Sequence, residues 1–262
     1  KRFFVGFALM ISIAMVPIWF WKSMSVLAYL GSLGLLVLVK FFGSTGMGAQ
    51  RWLDLGFISL QPSEMAKITL IMILAFYYDW LQDKRVSKPL WIIIPLALIF
   101  FPFYLVLQQP DLGTALLIVL GGGVMMFLAG VHWGYFVAAL SLSVGGILAV
   151  LNSRGKDWQI LNDYQYRRID TFLDPSSDPL GAGYHITQSK IALGSGGWTG
   201  RGFGQGTQSR LNFLPEKHTD FIFTTLAEEF GFIGGISLLT IYTLIVAFAI
   251  IAAIRNKDRF SS

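Results

Sequence analysis

What most limits the folds open to this sequence is its series of apolar runs, each long enough to match the thickness of a bilayer. Runs of spanning length, about 17–25 residues, are read at 3–21, 24–42, 63–81, 89–107, 112–130, 133–151 and 221–254. The expected fold is all-α: a polytopic integral membrane helical bundle of about seven transmembrane segments with a large outward-facing loop. The last run is long enough to tilt or to continue past the bilayer. With 54% hydrophobic and only 13% charged residues and a mean hydropathy of +0.61, the chain lies far from the soluble profile. The first run lacks a small-residue cleavage pattern and leads straight into a second, so it is expected to be a membrane segment, not a cleaved signal, with no soluble domain before it.

Charge sets the expected orientation. If each run crosses once, Lys22, then Lys84, Arg85 and Lys88, then Arg255, Lys257 and Arg259 fall on one side, which the positive-inside rule makes cytoplasmic. The net charge of +5 is thus read as membrane topology and not as a nucleic-acid footprint. The opposite side receives residues 43–62, the turn at 108–111 and the long segment ending at Asp220. The absence of cysteine removes disulfides and thiolate chemistry.

Three regions follow. Residues 1–151 form a membrane bundle of six helices, residues 152–220 a large extracytoplasmic loop, and residues 221–262 a long transmembrane helix with a cytoplasmic end. Within the first region, 43–62 (GAQRWLDLGFISLQPSE in its body) sets Trp52, Leu53, Leu55, Phe57, Ile58 and Leu60 among two charges, Arg51 and Asp54. Trp favours the headgroup level, so this reads as a re-entrant or interfacial segment on the outer leaflet. The large loop holds the most glycine-dense stretch, LGSGGWTGRGFGQGTQS, which matches neither nucleotide-loop pattern. Plain loop flexibility and a backbone that turns tightly to approach a ligand or a membrane surface stand about even.

Chemistry concentrates at helix mouths on the outer side. Glu64 and Lys67, three apart, share a helix face, either as a self-neutralising pair or as part of a polar cavity. Asp111 is placed as an N-cap for LGTALLIVL. LPEKHTDFIF crowds Glu216, Lys217, His218, Thr219 and Asp220 against an apolar run, where ionisable groups are costly and usually functional. Asp220, Thr224 and Glu228, spaced i, i+4, i+8, extend a polar stripe about 12 Å along one helix face, more than a cap requires. His132, His185 and His218 are too scattered for zinc. An oxygen-liganded divalent ion, magnesium or manganese, held by one carboxylate plus substrate phosphates stays open.

GAQRWLDLG, QPSEMAKI, QQPDLGTA, the run from FLDPSSDPLG to GQGTQS, and LPEKHTDFIFTTLAEEFG resemble, over nearly the whole chain and in order, the SEDS family (shape, elongation, division and sporulation), most closely its RodA branch. The resemblance implies a peptidoglycan glycosyltransferase of the bacterial inner membrane, multi-pass, with its active site facing the periplasm. It would polymerise lipid II into glycan strands during elongation, beside a class B penicillin-binding protein. The family's essential aspartate lands on Asp220, and the Glu and Lys of its PSExxK pattern on Glu64 and Lys67. The family has about ten membrane segments, so this chain reads as a piece lacking the first and the last two.

On that reading Asp220 is the catalytic general base, and Glu64, Lys67, Arg51, Arg210, Glu216, Lys217 and His218 line the substrate site. Arg210, Lys217, Arg51 or a divalent cation would stabilise the leaving pyrophosphate. No organic cofactor and no nucleic acid is expected; lipid II, the nascent glycan strand and membrane lipid are. The alternatives are a lipid II flippase or transporter, disfavoured because no internal repeat is seen, and a non-enzymatic cell-wall scaffold, which leaves the acidic stripe unexplained.

Overall fold

The computed structural model of the chain describes residues 2–46, 49–54, 56, 59–81, 85–109, 111–156, 158–159, 163–174, 182–207, 221–256 and 260. The chain is predominantly helical, and the apolar runs supply its long helices. They are α1 (Arg2–Ala14), α2 (Ile18–Phe42), α3 (Pro62–Trp80), α4 (Pro89–Leu107), α5 (Leu112–Leu128) and α6 (Trp133–Ser153), followed by α7 (Asp163–Leu173), α8 (Ala182–Ser195) and α9 (Ile222–Arg255). Among the described residues α2, α4, α6 and α9 are each long and apolar enough to cross a membrane. Proline marks the helix starts: Pro62 and Pro89 open α3 and α4, where a missing N–H is no loss.

The first break falls elsewhere than the sequence reading put it. α1 stops at Ala14 and Pro17 caps the next helix, so Lys22 lies inside α2 and not in a linker. Proline cannot continue α1, whereas Lys22 is neutralised by Asp79 near the end of α3, 2.6 Å away.

Segment 43–62, expected to lie on the leaflet, folds back on itself as three short antiparallel strands. These are β1 (Ser44–Gly46), β2 (Ala49–Asp54) and β3 (Ser59–Leu60), in the order β1-β2-β3. Ser44 pairs with Trp52 and Leu53 with Leu60. Between β2 and β3, Asp54 Oδ1 accepts from the amide of Gly56, whose φ of 84° only glycine adopts readily.

The chain divides into two compact units, residues 1–139 with 253–262, and residues 140–252. In the first, α3 packs on α2, α4 and α5 around Leu36, Leu70, Leu74, Ile99, Val106 and Ile118. Its polar interior follows from α4, which carries Pro95 and Pro102 inside the helix. Each proline lacks the amide that would bond the carbonyl four residues back, Trp91 and Leu98. Tyr77 donates its hydroxyl to Trp91 O and Tyr29 to Leu98 O, both at 2.7 Å. Buried backbone acceptors are thereby satisfied from neighbouring helices.

In the second unit, α7 and α8 fold within the large loop. Arg154, just past α6, forks onto Asp170 of α7 at 2.9 and 2.8 Å, which holds the Asp170 carboxyl below the usual carboxylate range. Buried Tyr166 donates to the carbonyl of Val150 at 2.7 Å and ties α7 to α6.

Candidate functional site

Two polar regions carry the residues expected to act. In the first unit β2 presents Arg51, whose Nε donates to Gln109 O at 3.2 Å and whose Nη1 lies 3.9 Å from Asp111 Oδ2. Asp111 caps α5, its Oδ1 accepting from Thr114 N at 3.2 Å and its Oδ2 from Thr114 Oγ1 at 2.9 Å. Glu64, in the first turn of α3 where the helix dipole favours an anion, pairs with Lys67 at 2.8 Å. With the Glu64 side chain 55% exposed, such a pair adds at most about 0.5 kcal/mol to stability. The sequence reading passed over Lys40, whose Nζ donates to Gln108 Oε1 at 3.0 Å. A lone cation in the last turn of an apolar helix was the available signal.

In the second unit the glycine-dense stretch explains itself. α9 is interrupted at Gly231, with φ 68° and ψ −163°. An intact helix would bond Phe232 N to Glu228 O and Ile233 N to Glu229 O. Here Phe232 N donates to Gly197 O at 2.9 Å and Ile233 N to Trp198 O at 3.1 Å, while Arg201 N and Gly202 N donate to the carbonyls of Glu228 and Glu229, both at 3.0 Å. The loop 196–202 thus inserts its own backbone into the break. Among the even readings of these glycines, close backbone approach is what the structure has, and the surface approached is α9.

Two members of the expected polar stripe, Thr224 and Glu228, find partners on α8 and in the glycine-dense stretch. Thr224 shares a 2.8 Å hydrogen bond with Ser189 of α8. Glu228, fully buried, accepts from Thr207 Oγ1 at 3.2 Å, and Thr207 Oγ1 accepts in turn from Arg201 Nη1 at 3.1 Å. Ser189, Arg201 and Thr207 were not anticipated. Ser189 and Thr207 meet partners on α9 that are 35 and 21 residues distant, a separation that no periodicity encodes.

Asp220, Arg210, Glu216, Lys217 and His218 lie outside the described residues, so the structure brings together only Glu64 with Lys67 and Arg51 with Asp111 among the groups singled out. Among the described residues no three of His, Asp and Glu gather into a metal cluster. A cation held by one carboxylate and a substrate's phosphates would not require one.

A helical membrane bundle with a small sheet at a helix mouth and a glycine loop spliced into a broken helix defines a class, and comparison places the chain in it. The model of the FtsW, RodA and SpoVE cell cycle protein family matches residues 2–262, and the chain belongs to that family. Peptidoglycan glycosyltransferase MrdB of Escherichia coli K12 is 44% identical over 257 residues, covering 98% of this chain and 67% of MrdB. The probable peptidoglycan glycosyltransferase FtsW of a Geobacter species (strain M18) is 40% identical over 243 residues, 92% of this chain and 64% of that protein. Among solved structures, a chain of a peptidoglycan synthase complex that coordinates polymerization and crosslinking superposes with TM-score 0.77 at 29% identity, over 98% of this chain and 69% of that one. The rod shape determining protein RodA of Thermus thermophilus superposes with TM-score 0.60 at 25% identity, over 98% and 66%. The chain spans about two thirds of the length of these relatives.

Proposed function

We propose that this chain is the greater part of an inner-membrane peptidoglycan glycosyltransferase that polymerises lipid II at the outer face during elongation. The observation that carries the reading is the 44% identity to MrdB across 98% of the chain. Asp220, two residues before α9 begins at Ile222, is the general base. It takes the proton from the acceptor sugar hydroxyl. The hydroxyl oxygen forms a bond to the donor's anomeric carbon as the bond to the lipid pyrophosphate breaks, and the electron pair leaves with the pyrophosphate. A single displacement of this kind inverts the anomeric centre.

Lys67 and Glu64 at the mouth of α3, and Arg51 on β2, are proposed to make polar contact with the substrate, since a partly exposed pair adds little to stability. Arg210, Glu216, Lys217 and His218 are proposed to complete the substrate contacts, with cationic charge or a divalent ion meeting the departing pyrophosphate. A class B penicillin-binding protein is the proposed partner, consistent with the synthase complex that the fold resembles.

The break in α9 also bears on the flippase reading, because transporters use discontinuous helices whose free ends bind cargo. Here the four backbone groups at the break are taken by Gly197, Trp198, Arg201 and Gly202. This supports surface chemistry over a translocation path.

The test is glycan polymerisation from purified lipid II by the complete protein with its transpeptidase, comparing wild type with Asp220→Asn. Loss of the base is expected to lower the rate by at least about a hundredfold, with lipid II binding retained. Polymer formed at the wild-type rate would remove the central residue of this reading.

A further inference from the structure

Gly231 divides α9 unequally. After the break, residues 232–254 carry no charge, and a helix of that length is about 34 Å long. It crosses the roughly 30 Å hydrocarbon core by itself. Before the break, residues 222–230 include Glu228 and Glu229, groups that are expensive at membrane depth. With Arg255 at one bilayer surface, the break therefore falls at the other, and both carboxylates stay clear of the hydrocarbon.

Aromatic rings gather at that level. Trp198 and Phe203, on the glycine segment that fills the break, are 73% and 83% exposed. Trp198 meets Phe232, just past Gly231, edge-on with ring centroids 5.0 Å apart, and Phe203 lies 6.1 Å from Phe230, just before it. Four backbone hydrogen bonds hold Gly197, Trp198, Arg201 and Gly202 on α9, so the segment presents its rings from a fixed mount. Exposed apolar side chains gathered on a fixed segment mark an interaction surface. Arg201, exposed between the two rings, donates its side chain to the neutral oxygens Ser195 O and Thr207 Oγ1 at 3.3 and 3.1 Å. Rings flanking a cation suit a lipid headgroup layer, where aromatics are enriched and a cation can meet phosphate. A covering apolar helix would instead have to bury the charge.

We propose that segment 198–203 is a membrane-surface anchor: Trp198 and Phe203 insert among the phospholipid headgroups of the leaflet opposite Arg255 and hold the α9 break at the bilayer surface. The occupant of this surface is lipid. Residues 222–230 then project beyond the hydrocarbon as a short extramembrane extension of the spanning helix. Such an anchor goes beyond the transferase chemistry and is independent of it.

The experiment places an environment-sensitive fluorophore on single cysteines, Trp198→Cys, Phe203→Cys or Phe230→Cys, in the complete protein with its transpeptidase and with any other cysteine replaced. The backbone bonds that seat the segment need none of these side chains, and three probe positions guard against one variant failing to fold. The protein is reconstituted in vesicles of phosphatidylethanolamine and phosphatidylglycerol, a fraction of which carries a quenching nitroxide either near the headgroup or near the chain end. Interfacial groups lie within about 5–10 Å of the headgroup boundary, so the shallow nitroxide is expected to quench at least about twofold more than the deep one. A probe at Lys156→Cys should respond to neither nitroxide and be quenched by aqueous iodide. Quenching of the segment by iodide alone overturns the proposal, because the rings would then stand in water. Resistance to iodide and to both nitroxides overturns it as well, since protein would then cover the segment. Stronger quenching by the deep nitroxide also overturns it, by placing the break inside the hydrocarbon.

Discussion

Gly200 is the tightest point between the glycine segment and α9. Its φ is +80°, and a Cβ there would sit 2.6 Å from Phe230 Cα and nearer still to the Glu229 carbonyl. Gly204 has a similar φ of +69° with nothing within 4 Å. The two positions separate backbone strain from collision. Gly204→Ala carries only the strain, about 1 kcal/mol, whereas Gly200→Ala must also push the loop off the helix and forfeit hydrogen bonds, for about 3 kcal/mol in all. Thermal unfolding in detergent checks this, and equal shifts for the two variants would mean that the loop is not seated on α9. At this scale local spacing was readable: Glu64 and Lys67 pair as three-apart residues do, and Asp111 caps α5. What the sequence concealed was the partner of each long-range polar group. Glu228 was placed on a stripe by its period, but nothing in the residues pointed to Thr207 across the intervening loop.

Helix α4 shows how an element can carry two internal prolines and still pack in an apolar interior. Leu98 O, left free by Pro102, is filled by the hydroxyl of Tyr29 on α2. Tyr29→Phe leaves that carbonyl unpaired and is expected to destabilise the first unit by about 1–3 kcal/mol. Pro102→Ala supplies an amide to the same carbonyl, so the double variant should recover at least about half of the loss, a coupling that a double-mutant cycle measures directly. Simple additivity would mean that Tyr29 stabilises by packing alone. The helices themselves were legible because length and apolarity suffice to define them. The strands at 43–62 were not, because the segment was judged by its Trp and Leu content. Its pairing depends on a turn at Gly56 and a register that composition does not report. The break within α9 was equally hidden, since Gly231 lies inside a run long enough to be read as one helix and only the distant glycine segment fills the interruption.

For the whole molecule the open question is which face meets which compartment, because the proposed chemistry needs the mouths of α3 and α5 outside. The basic residues Lys22, Lys88 and Arg255 argue for it through the positive-inside rule. Lys22 weighs less than the sequence alone suggested, since it lies inside α2 and not in a linker. The chain contains no cysteine, so single cysteines can be read without background from this part of the protein. Ser44 and Lys156 are exposed on the expected outer side, Lys88 and Arg255 on the expected inner side. In intact cells making the complete protein, a membrane-impermeant maleimide should modify Ser44→Cys and Lys156→Cys, and should reach Lys88→Cys and Arg255→Cys only after permeabilisation. The reverse pattern would put Arg51, Glu64 and Lys67 on the cytoplasmic side. The transferase would then have to meet its lipid-linked donor before export, and the outward-facing mechanism would fail even if Asp220 were indispensable. If Ser44 and Lys156 label on opposite sides, an odd number of crossings separates the sheet from the large loop. The two outer regions could then not serve one site, and Asp220 would have to work without Glu64 and Lys67.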